Sequence, residues 1–104
     1  MFDPSKLTEM MQQAQQMQER MQQELKQTVV EGQAGGGMVK VQLNGLYEVT
    51  KVAIDKAAVD VNDLTLLEDL VRAAFTQALA RVEDVRTDNA RNMAGAMGLP
   101  GGMF

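Results

Sequence analysis

The chain has 104 residues and a net charge of −4, with no cysteine, histidine or tryptophan. Those absences exclude disulfides, thiolate chemistry and His or Cys metal ligands, and the length allows one small domain or a subunit that shares its core with a partner. Four aromatics, Phe2, Tyr47, Phe75 and Phe104, make a modest core, which favours oligomerisation as the extra source of burial.

The N-terminus, MFDPSKLTEMM, lacks a basic region followed by an apolar run, so it does not read as a secretory signal. No run of about 18 apolar residues predicts a membrane span, and the default expectation is a soluble cytosolic protein. The first helix is expected from Pro4, with Asp3 as its N-cap and proline at the first helical position. Leu7, Met10, Ala14, Met17, Met21 and Leu25 follow at steps of three and four, a heptad-like seam along a rod of roughly 36 Å. Between Lys6 and Gln27 lie eight glutamines, where glutamate would form helix equally well.

The middle of the chain is predicted to be β. Thr28–Ala34 reads as a strand weakened by Gly32, and Gly35-Gly36-Gly37 as a turn. Met38–Leu43 alternates, with Val39, Val41 and Leu43 on one face. Asn44-Gly45 predicts a type I′ hairpin. Leu46–Ile54 returns as a third strand whose apolar phase changes between Val49 and Val52, read as a bulge near Thr50 or as a sheet covered on both faces. One helical turn is expected at Lys56–Val59.

A second long helix is expected from Asp63 to Arg91, capped by Asn62 or Asp60. Its apolar stripe is Leu64, Leu67, Val71, Ala74, Phe75, Ala78, Val82 and Val85. The domain is expected to cover residues 1–93, with residues 94–104 a flexible Gly-rich tail. The order α-β-β-β-α gives an α+β fold with a three-stranded antiparallel meander and two long projecting helices.

Catalysis is not expected. Ser5 has no base to activate it, and the adjacent acids Glu68-Asp69 and Glu83-Asp84 diverge by about 100° on a helix. No calcium-type loop occurs, and the glycine run lies between strands, without opening a helix as a phosphate cradle does. No cofactor, metal or small-molecule substrate is expected.

The segments AQQMQERMQ (14–22), GGGMVKVQLNG (35–45), KVAID (51–55), LLEDLVRAAFTQAL (66–79) and MGLPGGMF (97–104) together resemble the YbaB/EbfC family of bacterial nucleoid-associated proteins over nearly the whole chain. The resemblance implies an intertwined homodimer with a shared β core and paired helical arms. It also implies binding to double-stranded DNA with limited sequence preference, in the cytoplasm at the nucleoid, and a role in nucleoid organisation or gene regulation. It transfers no individual contact residue.

Candidate DNA contacts come instead from charge placement. Residues 57–69 hold Asp60, Asp63, Glu68 and Asp69 and no base, while both ends of the chain are nearly neutral with spaced cations. If the acidic segment faces away from DNA, then Lys6, Arg20, Lys26, Arg81, Arg86 and Arg91 supply phosphate contacts, joined by Gln13 and Gln16. Arg81, Arg86 and Arg91 do not form one stripe, and their bland reading is solubility and helix-end electrostatics. Val39, Val41, Leu43, Val52, Ile54, Leu67, Val71 and Phe75 are read as core or dimer interface. The alternative function is a protein-interaction adaptor that uses its Met-rich helix, because methionine suits adaptable binding surfaces.

Overall fold

Asp3 and Pro4 open the first helix as their chemistry dictates. In the computed structural model, which describes residues 3–96, helix α1 spans Pro4–Gln27. The Asp3 carboxylate accepts from the Ser5 N–H at 3.0 Å and from the Ser5 hydroxyl at 2.8 Å. The helix stops where a β-branched run begins. Thr28 turns to extended backbone, and its N–H (3.0 Å) and hydroxyl (2.7 Å) both donate to the Glu24 carbonyl.

Three strands follow, β1 (Val29–Ala34), β2 (Val39–Asn44) and β3 (Val49–Ile54), in an antiparallel meander of order β1-β2-β3. The first turn carries Gly35, Gly36 and Gly37, all at positive φ, and Met38 N–H closes it onto the Gly35 carbonyl at 3.4 Å.

The second turn departs from the type I′ expectation, and β3 starts at Val49 instead of Leu46. The left-handed residue is Tyr47 (φ 62°), not Gly45. Asn44 organises a three-residue loop: its amide oxygen accepts from Leu46 N–H at 2.9 Å and Glu48 N–H at 3.1 Å. Gly45 is required for another reason. Its N–H donates to the Leu25 carbonyl at 2.7 Å, and a Cβ there would lie 2.7 Å from that same oxygen. The glycine lets the end of α1 sit on the hairpin.

The phase change in β3 is a bulge. Gln42 pairs with Lys51 but Leu43 pairs with Val49, which leaves Thr50 as the extra residue, its hydroxyl donating to the Gln42 carbonyl at 3.2 Å. A short 3₁₀ turn, Lys56–Ala58, leads to helix α2, Thr65–Ala96. The expected caps Asp60 and Asn62 are used earlier, in a turn where the Asp60 carboxylate accepts from Asn62 N–H at 2.9 Å. Asp63 takes the capping role, accepting from Thr65 N–H at 3.0 Å. The helix also passes its expected end at Arg91. Ala94 is buried, and the helix runs through Ala96 across the start of the expected tail. The rest of that tail, residues 97–104, lies outside the described residues.

The core forms between one face of the sheet and the first half of α2. Val39, Val41 and Leu43 are buried against Ala74, Ala78 and Val82, with Leu67, Val71 and Phe75 half-buried around them. Gly32 makes this contact possible, because a Cβ there would lie 2.0 Å from the Ala74 carbonyl oxygen. Helix α2 covers only β1 and β2. Val49, Val52 and Ile54 pair with Leu43, Val41 and Val39 and share their face, yet remain 53%, 49% and 44% exposed. The described chain measures 74 × 26 × 16 Å with a radius of gyration of 20.0 Å. A compact chain of this length has about 13 Å, so the helices extend well beyond the core.

Candidate nucleic-acid interface

Helix α1 stands clear of the body over most of its length. Only Leu25 is buried and Met21 half-buried; Leu7, Met10, Ala14 and Met17 are exposed, with Met10 at 66%. The seam therefore packs within this chain only at its C-terminal end. At that same end, Asn89 of α2 donates to the Glu24 carboxylate at 3.4 Å.

Beside the seam, Lys6, Gln13 and Arg20 recur every seven residues and drift only about 20° per heptad, so they form one stripe. Gln16 lies about 40° further round. All four are exposed, and Glu9 shares this flank. Lys26 does not join them. It falls about 120° from Arg20 and faces Leu46 across a groove also lined by Glu19, Gln22 and Gln23.

The three α2 arginines have different surroundings. An Arg81 guanidinium N–H donates to the Glu31 carbonyl on the outer edge of β1. Next to it Gln77 accepts from Gln33 N–H at 2.8 Å, so together they cap that edge. Arg86 reaches the turn between β2 and β3, donates to the Gly45 carbonyl at 2.8 Å, and lies 5.3 Å from the centroid of the Tyr47 ring. Tyr47 in turn donates its hydroxyl to Glu83 at 2.7 Å. That bond, with some burial and the Glu83 charge, raises the phenol pKa against the opposing pull of Arg86. Arg81 and Arg86 thus each hold the fold together, while Arg91 sits exposed on the far part of α2.

Much of the acidic segment is also local structure. Asp60 and Asp63, like Asp55 just before the segment, each accept a backbone N–H two residues on, and Asp69 pairs with Arg72 at 3.1 Å, the one ion pair among the described residues. No described group of three His, Cys, Asp or Glu side chains is placed to hold a metal ion, and no described helix is long and apolar enough to cross a membrane.

Two cations were overlooked in the sequence. Lys40 and Lys51 stand on the sheet face opposite α2, both exposed. The alternation of Val-Lys-Val-Gln-Leu that buries Val39, Val41 and Leu43 necessarily puts Lys40 and Gln42 on the other side, and that was the available signal.

The comparisons agree with this architecture. The chain is 42% identical over 108 residues to a nucleoid-associated protein of Acidobacterium capsulatum, covering 99% of this chain and 100% of that one. It is 44% identical to a nucleoid-associated protein of a Thermoanaerobacter strain, over 91% of this chain and 88% of the relative. The crystal structure of an uncharacterized protein from Helicobacter pylori superposes with a TM-score of 0.74 at 27% identity, covering 89% of this chain and 98% of that one. The model of the YbaB/EbfC DNA-binding family matches residues 3–97. With that match spanning nearly its whole length, the chain belongs to the YbaB/EbfC DNA-binding family.

Proposed function

We propose that the chain binds double-stranded DNA as a homodimer at the bacterial nucleoid, alters DNA conformation, and so contributes to nucleoid organisation or gene regulation. The observation that carries this reading is family membership across residues 3–97. The geometry supplies a surface for it. The stripe of Lys6, Gln13, Gln16 and Arg20 lies along a freestanding arm, and Arg91 lies on the neighbouring helix. These side chains reach phosphate oxygens and carry no dedicated base-reading pattern, so sequence preference is limited and affinity comes from the backbone.

The open flank of β3 supports the dimer. Val49, Val52 and Ile54 continue the core face past the edge of α2, and a second copy of the chain would bury that row. A second reading is favoured by one observation: Leu7, Met10 and Met17 are exposed along α1, a surface suited to a protein partner's helix. On that reading the chain is an adaptor without direct DNA contact.

Binding of the full chain to a short labelled duplex across a salt series separates the two. The DNA reading expects micromolar or tighter binding near physiological salt, with a slope of log K against log salt that corresponds to several released counterions. No binding even at low salt would reject it and leave the adaptor.

A further inference from the structure

We propose that the sheet face opposite α2, together with the Gly35–Gly37 turn at its end, is a further phosphate-contacting surface for duplex DNA, with Lys40 and Lys51 as its cations. The proposal rests on the DNA-binding reading above and adds a surface that the helical arms do not provide.

The strand register composes this face. Glu31, Gln42 and Lys51 form one cross-strand row, and Gln33, Lys40 and Ala53 form the next. No described element covers them: Gln33, Lys40 and Lys51 are exposed, and Glu31, Gln42 and Ala53 are half-buried. Every lysine within the three strands is on this side. Lys40 and Lys51 are diagonal neighbours on adjacent strands, about 7–8 Å apart at the backbone. The acid in these rows, Glu31, is likewise a diagonal neighbour of Lys40 and stands two strands from Lys51, roughly 9–10 Å away. Neither lysine takes part in an ion pair among the described residues.

The glycine turn extends the face. A Cβ on Gly37 would lie 3.2 Å from Lys40 Cε and 3.6 Å from Gln33 Oε1, so the lysine stem and the glutamine amide lie over the turn. A Cβ on Gly36 would meet nothing within 4 Å. Positive φ alone does not demand three glycines, since asparagine and aspartate also adopt it. What glycine adds is a bare backbone. A phosphodiester strand can then approach the peptide groups closely while Lys40 meets its charge.

The polarity of the face selects its occupant. A protein–protein interface needs an apolar centre, and the two rows offer only Ala53, the exposed Val29 lying in the end row beside Asn44. Interfaces with DNA are polar and cationic, which matches lysines set among glutamines.

The test is the same salt series on the full chain, comparing wild type with Lys40→Gln/Lys51→Gln, Gly36→Asp and Lys56→Gln. The double variant is expected to lower the salt slope by about one per lysine per protomer. Gly36→Asp keeps a residue that tolerates positive φ and adds a negative charge at the turn, so binding weakens several-fold at low salt. Lys56, outside the face, serves as the charge control and leaves the slope unchanged. A double variant with the wild-type slope overturns this surface while DNA binding stands. An equal loss in Lys56→Gln also overturns it, because charge alone would then account for the effect. If the double variant instead changes the sedimenting mass at unchanged slope, the face belongs to a second copy and the proposal fails. Absence of wild-type binding at low salt rejects the DNA reading itself.

Discussion

Tyr47 donates its hydroxyl to Glu83 across 2.7 Å, joining the turn between β2 and β3 to the middle of α2. Tyr47 is also the one non-glycine residue at positive φ among the described residues. Its backbone strain is thus held by a side-chain bond at the far end of the same residue. Because the chain has one tyrosine and no tryptophan, ultraviolet absorbance reports this phenol alone. The titration midpoint is expected above the ordinary value of about 10, and Glu83→Ala should bring it down. The folded state holds the proton more tightly than the unfolded chain. The bond's contribution is therefore complete below about pH 10 and is lost as pH rises through the raised folded value. A wild-type midpoint at or under 10 would contradict the bond.

Arg86 and Arg91 should respond differently to charge reversal. Arg86→Glu removes the donor to the Gly45 carbonyl and places a second acid beside Glu83, so unfolding free energy falls by about 1–2 kcal/mol. Arg91→Glu leaves stability within about 0.5 kcal/mol and weakens duplex binding. Urea melts and duplex titrations of both variants check the split. Equal stability of the two variants would show that the Arg86 contact is not structural.

Two glycines give a further contrast. Gly32→Ala forces a methyl group onto the Ala74 carbonyl and should cost about 3 kcal/mol or more, since strand and helix must separate. Gly36→Ala meets no neighbour and carries only the left-handed backbone penalty of about 1–2 kcal/mol. Denaturant midpoints that reverse this order would contradict the packing of α2 on β1.

The apolar flank of β3 predicts a change in assembly with little change in fold. Val52→Asp/Ile54→Asp should yield a monomer in sedimentation while circular dichroism retains its helix and strand signals. An unchanged dimer would place the interface elsewhere.

Wherever one local pattern decided the outcome, the fold was legible. Asp3-Pro4 marked the start of α1, strict alternation marked β2, and the phase slip between Val49 and Val52 marked the bulge at Thr50. Asn44-Gly45 misled because two demands fall on one glycine. The strongest hairpin signal in the chain was there for the approach of Leu25, and left-handed backbone fell on Tyr47 instead. The start of α2 moved because the Asp60 carboxylate is taken up by a turn at Asn62, which leaves Asp63 to accept from Thr65 N–H. The site was less legible than the fold. Charge counts along the chain cannot show that Arg81 and Arg86 curl onto the chain's own carbonyls, because those carbonyls lie 50 and 41 residues away. Nor did they single out Lys40 and Lys51, whose significance depends on which face α2 leaves bare.

The cap that Gln77 and Arg81 place on β1 has a consequence for how the protein can grow in number. A sheet with two open edges can recruit copies without end and form a filament. Here one edge is already sealed from within the chain, so only β3 can accept a neighbour. Once two copies meet through that edge, neither has another to offer. Association of this kind stops at a discrete particle and stays clear of runaway fibre formation.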